Sequence, residues 1–109
     1  MVDANVVEVY VLKEQRNFYI GENSLQYDKE TNCNELVYCE TLTNGYDTYP
    51  TKKQALNVLK MLEDLSKKIK YSNMFHVEKI NLIATMKKEN NRKIKRIPFI
   101  HEKIGLGVV

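Results

Sequence analysis

Apolar and polar positions alternate in short blocks along this chain, and the spacing within them shifts from two to three and four. Val6-Val7-Glu8-Val9-Tyr10-Val11-Leu12 is β-branched and aromatic, which suits a pleated, mostly buried strand. Lys13-Glu14-Gln15-Arg16-Asn17 is polar and predicts a turn, and Phe18-Tyr19-Ile20 then returns as a second strand ending at Gly21. From Glu22 to Asn34 only Leu25 and Tyr27 offer anchors, so a surface loop is expected there. Glu35 to Thr43 regains strand character. Asn44-Gly45 follows, the dipeptide best suited to the positive φ angles of a tight hairpin, with Tyr46 to Tyr49 as the returning strand.

The sharpest local signal is Thr51-Lys52-Lys53-Gln54, a capping box in which the threonine hydroxyl accepts from the Gln54 amide and the glutamine side chain reaches back. Ala55, Val58, Leu59, Leu62, Leu65 and Ile69 then recur at spacings of three and four, one apolar stripe of a helix from about Thr51 to Lys70. Phe75 to Met86 reads as a strand whose alternation changes phase near Lys79, as at a bulge. Lys87 to Lys93 is turn-like, and Ile94 to Ile100 extends again with Pro98 confining it to an edge or a bulge. The pattern predicts a single α+β domain over 1–109. Its antiparallel sheet has four or five strands, with one long amphipathic helix (about 51–70) packed on one face, a basic hairpin at about 86–97 and an apolar C-terminal tail.

Composition narrows the classes. The 109 residues are 43% hydrophobic and 28% charged, enough for one buried core. No run approaches the roughly 18 apolar residues that span a bilayer, so no membrane partner is expected. Met1-Val2-Asp3-Ala4-Asn5 lacks the basic and apolar regions of a secretory signal, and a cytoplasmic protein is expected. Cys33 and Cys39 read as ordinary thiols, because reducing cytosol disfavours a stable disulfide and a metal site would need two more ligands. Four glycines form no phosphate-cradling loop, so no cofactor and no metal are implied.

Charge changes the picture more. Met1 to Thr51 carries three basic and nine acidic residues, Lys52 to Val109 fourteen and five, so a total of +3 conceals halves of −6 and +9. That asymmetry favours association with a charged partner. In the basic half Lys87, Lys88, Arg92, Lys93, Lys95 and Arg96 form a dense cluster that can meet phosphates. Fourteen lysines against three arginines argue against sequence-specific reading, which uses the planar guanidinium fork. In the acidic half six of the seven tyrosines lie among carboxylates. Tyr27, Glu35, Tyr38, Glu40, Tyr46 and Asp47 are the candidate protein-binding residues, since tyrosine brings rigid area with a polar tip. Catalysis has little support. His76 and His101 have no acid–base partner at a telling spacing, and pairing Cys39 with His76 rests on no motif.

Val9-Tyr10-Val11-Leu12-Lys13 with Phe18-Tyr19-Ile20-Gly21, followed by Tyr49-Pro50-Thr51-Lys52-Lys53-Gln54-Ala55-Leu56 opening a helix, resembles the small accessory proteins of temperate phages and mobile elements of low-GC Gram-positive bacteria. The resemblance covers residues 6 to about 84. It implies an order of strand, strand, short strand, capped helix and final strand, and an activity exerted by binding; anti-CRISPR proteins are one such class. The expected function is therefore a non-enzymatic protein that binds and modulates a host or phage protein, such as a defence nuclease or nucleoprotein complex. The alternative is a weakly sequence-specific nucleic-acid-binding protein using the 87–96 cluster. The opposite charges of the halves also favour head-to-tail self-association, although a closed two-fold homodimer is the commoner outcome.

Overall fold

The computed structural model describes residues 7–30, 32–44, 47–65, 71–90 and 93–99. Residues 66–70 of the expected helix, Tyr46, Arg92 and the apolar tail lie outside them. The fold is α+β, with small antiparallel sheets and two helices. Strand β1 (Glu8–Glu14) pairs antiparallel with β5 (Phe75–Asn81), from Glu8 opposite Asn81 to Glu14 opposite Phe75. Between them in sequence lie β2 (Leu25–Asp28), β3 (Cys33–Leu36), β4 (Tyr38–Glu40), helix α1 (Lys52–Leu65) and a 3-10 turn (Tyr71–Asn73). Helix α2 (Leu82–Glu89) and β6 (Arg96–Pro98) follow. β2 pairs with β3, and β4 with β6.

Among the described residues the strands form three two-stranded pairs in place of one continuous ladder of four or five, and Phe18-Tyr19-Ile20 contributes single bridges instead of a full strand. Tyr19 bridges both Lys13 and Glu40, which ties the β1–β5 pair to the β4–β6 pair. Glu14 shapes the turn before it. Its buried carboxylate accepts from the amides of Arg16 (2.7 Å) and Phe18 (3.1 Å) and from Arg16 Nε (2.6 Å), while Asn17 takes a left-handed φ of 65°. Asparagine tolerates that conformation better than other residues with a Cβ.

β1 is apolar on both faces because both are covered. Leu12, and Tyr10 beside it, join the cluster under α1, with Leu36, Ala55, Leu59, Leu62 and Phe75. Val11 and Val9 join a second cluster with Tyr19, Leu42 and Ile80, covered by Leu82 and Met86 of α2. The capping box forms as the sequence predicts: the Gln54 amide donates to Thr51 Oγ1 at 3.3 Å and the Thr51 amide to Gln54 Oε1 at 3.2 Å.

Three local expectations are corrected. The strand expected to run to Met86 stops at Asn81, whose side chain caps α2 by accepting from the Ala84 amide at 3.2 Å. The phase change near Lys79 therefore marks a switch from strand to helix, with Leu82 and Met86 four apart on one face. Consequently the expected basic hairpin is a helix end, a loop and the short strand β6. The polar stretch 22–34 is no simple loop. It holds the β2–β3 hairpin, turned by Asn32 at φ 58° and by the Asp28 carboxylate, which accepts from the Glu30 amide at 2.9 Å. Finally, Tyr49 pairs with Tyr10 (2.8 Å in both directions) and does not fold back on 35–43.

Leu62 is fully buried beneath α1, whereas Leu56 on the same helix is 45% exposed. Leu62→Ala should therefore lower unfolding free energy by about 3 kcal/mol, and Leu56→Ala by less than about 0.5 kcal/mol. Urea denaturation followed by circular dichroism reads both. Equal losses would contradict this orientation of α1.

Candidate interaction surface

The residues proposed for protein contact do not form one patch. Tyr27 stands at 56% exposure on β2, its hydroxyl donating to Asn32 Oδ1 across the hairpin. Glu35, half-buried on β3, lies opposite Gln26. Tyr38 is half-buried on β4, with the Arg96 guanidinium 5.1 Å above its ring. Asp47 is half-buried in the segment before Tyr49, and Tyr46 falls outside the described residues.

Glu40 is the clear correction: it is fully buried and cannot face a partner. β4–β6 pairing sets Glu40 opposite Arg96, whose Nη2 lies 3.0 Å from Glu40 Oε1. One member of each candidate set is thus consumed in a single ion pair. Burial pushes the Glu40 carboxyl above its ordinary value; Arg96 and the Asn23 amide pull it back in part, and Glu22 and Asp47 push it up further. Asp47 is raised too, first by burial and then by Glu22. Tyr49 is raised by burial and by Asp47.

Glu22, one of the carboxylates that flank the tyrosines in sequence, stands outside the candidate set read from the chain. In the chain it is one acid in a polar stretch. The fold brings it beside Asp47, because the Asp47 amide donates to the Ile20 carbonyl (3.3 Å) just ahead of Gly21. Glu22 is exposed, Asp47 half-exposed, and among the described residues neither forms an ion pair.

On the basic side, Lys87 and Lys88 are exposed in the last turn of α2, where cations complement the helix dipole. Lys93 and Lys95 are exposed in the following loop, and Arg92 lies outside the described residues. Sequence reading also passed over Glu89. It is buried beside this loop at 5% exposure, with Oε1 accepting from the Thr43 amide at 3.0 Å. An acid closing a lysine-rich helix is the only signal it gives.

Cys39 is fully buried, and burial above all pushes its thiol up to about 12. A thiol held protonated is no nucleophile at neutral pH. His76 is exposed on β5, with Nε2 3.4 Å from Glu78 Oε1. It borders a cleft of about 490 Å³ whose lining carboxylate, Glu14, is committed to the 14–18 turn. Among the described residues no cluster of His, Cys, Asp or Glu is arranged to hold a metal ion, and no helix is long and apolar enough to cross a membrane. Comparisons with protein families, curated proteins and solved structures find no match for this chain.

The Glu40–Arg96 pair has a pH signature. A carboxyl whose folded pKa is raised binds its proton more tightly folded than unfolded, so stability falls as pH climbs from the ordinary value of 4.5 through the raised one. Arg96→Ala removes the cation that limits this effect. It should cost about 2 kcal/mol at pH 8, discounted from a fully buried pair because the Arg96 side chain is 40% exposed. The loss should shrink as pH falls from 8 toward the ordinary carboxyl value, because a carboxyl raised above that value takes up its proton on the way. Thermal melts of both proteins across that range test it; a loss independent of pH would show that the pair carries no net electrostatic role.

Proposed function

We propose that this chain is a non-enzymatic binding protein whose acidic face engages a basic groove of another protein and alters that protein's activity. The observation that carries the reading is the juxtaposition of Glu22 and Asp47 next to buried Glu40. Glu22 and Asp47, like charges with no ion pair to either among the described residues, destabilise the free protein slightly, and a partner's lysine or arginine relieves the repulsion on binding. Tyr27 on the β2–β3 hairpin adds an exposed aromatic to this chemistry, while Glu35, paired with Gln26 one register position away, lies on the other face of the hairpin.

A groove built to hold nucleic acid supplies the matching positive field. Together with the resemblance to phage accessory proteins, this favours a host nuclease, such as a defence nuclease in the host cytoplasm, as the partner class. The test compares wild type with the Glu22→Lys/Asp47→Lys variant in pull-downs from nuclease-treated host lysate. Wild type should retain one near-stoichiometric protein that the variant loses, while the variant's melting temperature stays within a few degrees. Equal recovery of that protein by both would refute the acidic face.

A second reading rests on a different observation. Lys87, Lys88, Lys93 and Lys95 are all exposed, and among the described residues none forms an ion pair. If these four meet phosphates, log affinity for single- or double-stranded DNA should fall with log salt at a slope of about −3 to −4. Changing all four to Gln should abolish binding in fluorescence anisotropy. Salt-independent binding, or none by wild type, removes this reading.

A further inference from the structure

Strand β5 has one edge bonded to β1, and among the described residues no strand is paired with the other. The register fixes which groups face that second edge. Tyr10 exchanges both its bonds with Tyr49 at 2.8 Å, the Leu12 carbonyl accepts from the Ile20 amide, and the Glu14 amide donates to Phe18. Even-numbered residues of β1 therefore turn their polar groups away from β5, and Val9, Val11 and Lys13 bond to Ile80, Glu78 and His76. Within β5 the alternate residues Phe75, Val77, Lys79 and Asn81 direct their amides and carbonyls outward. Among the described residues no strand pairs with that edge. Seven residues of unpaired edge are a template for another strand.

We propose that this edge is the interface of a two-fold dimer, in which β5 pairs antiparallel with β5 of a second copy about Val77. Two-fold symmetry sets the central residue opposite itself. A centre at Glu78 opposes two carboxylates, and a centre at Lys79 opposes two ammonium groups; like charges directly across a sheet are unfavourable. A centre at Val77 sets two half-buried valines together and joins the outward groups of Phe75 to those of Lys79. It also places each His76 opposite Glu78 of the second copy, a donor facing an acceptor on both sides of the axis.

Glu78 already accepts from Lys13 at 3.1 Å, and these two with His76 hold its carboxyl below the ordinary value despite partial burial. The dimer thus lengthens an existing polar row and buries no isolated charge. Closure by two-fold symmetry satisfies both edges at once, so association stops at two.

Sedimentation and amide hydrogen exchange over a protein concentration series test this on the wild-type chain. The Val77 and Lys79 amides should gain protection as the dimer forms, while Glu78 and Ile80, bonded to β1, stay protected throughout. His76→Glu, which faces two carboxylates together at each end, should weaken the dimer about tenfold, and adding Glu78→His should restore it. A monomer at millimolar concentration overturns the proposal, as does a dimer whose Val77 and Lys79 amides stay unprotected, since that dimer uses another surface. Protection that appears only with an added basic peptide or protein would assign the edge to a different occupant and overturn it equally.

Discussion

Strand β1 is covered on both faces and bonded along both edges, and the rest of the molecule is arranged around that constraint. Val11 and Leu12 are adjacent, point to opposite sides and are both fully buried. α1 packs over the Leu12 side and α2 over the Val11 side. β5 takes one edge, while Tyr49 and the 18–20 segment take the other. A fully buried aliphatic side chain contributes about 2 kcal/mol, so a strand that buries both alternating sets holds two layers with one backbone. Polar replacement on either face would leave a helix without its floor.

Buried carboxylates are the main cost of this compact arrangement, and each sits where backbone must be fixed. Glu14 offsets its desolvation by accepting from two amides and Arg16 in the tight turn that starts the bridging segment. Glu89 accepts the Thr43 amide and so ties the end of α2 to the loop after β4, although its second oxygen finds no partner. Glu40 depends on Arg96 alone for a counter-charge, with neither oxygen in a well-formed hydrogen bond. Ion pairs of this kind add little net stability and instead favour one registration of strands over others. For β4 and β6, only three residues each, such a registration device matters.

The charge division of the chain takes on a different meaning in the folded state. Glu8 pairs with Lys79, Lys13 with Glu78 and Glu40 with Arg96, and every one of these contacts joins the acidic half to the basic half. Part of the asymmetry is therefore spent on holding the halves together. The charge left outward includes Glu22 and Asp47 and the exposed lysines at and after the end of α2. A linear charge count finds both halves but cannot tell internal pairs from outward charge.

The sequence by itself determined the elements whose cause is local. The capping box at Thr51 and Gln54, the Ala55–Leu59–Leu62 stripe and the β1 run follow from hydroxyl chemistry and apolar spacing within a few residues, and all three appear, with β1 running on through Glu14 into the segment expected as a turn. The edge placement of Pro98 follows from its missing amide and also appears. Tertiary structure decided whatever depends on distant partners. Leu82 and Met86 fit a strand or a helix until a floor of Val11, Tyr19 and Ile80 selects the four-residue spacing. Tyr49 finds Tyr10 across 39 positions, and Glu40 and Arg96 leave both candidate sites because strand pairing places them face to face. Local rules fix conformation through bonds a residue makes with its neighbours. Which side chains stay free to meet a partner is settled only when the two faces of β1 are closed.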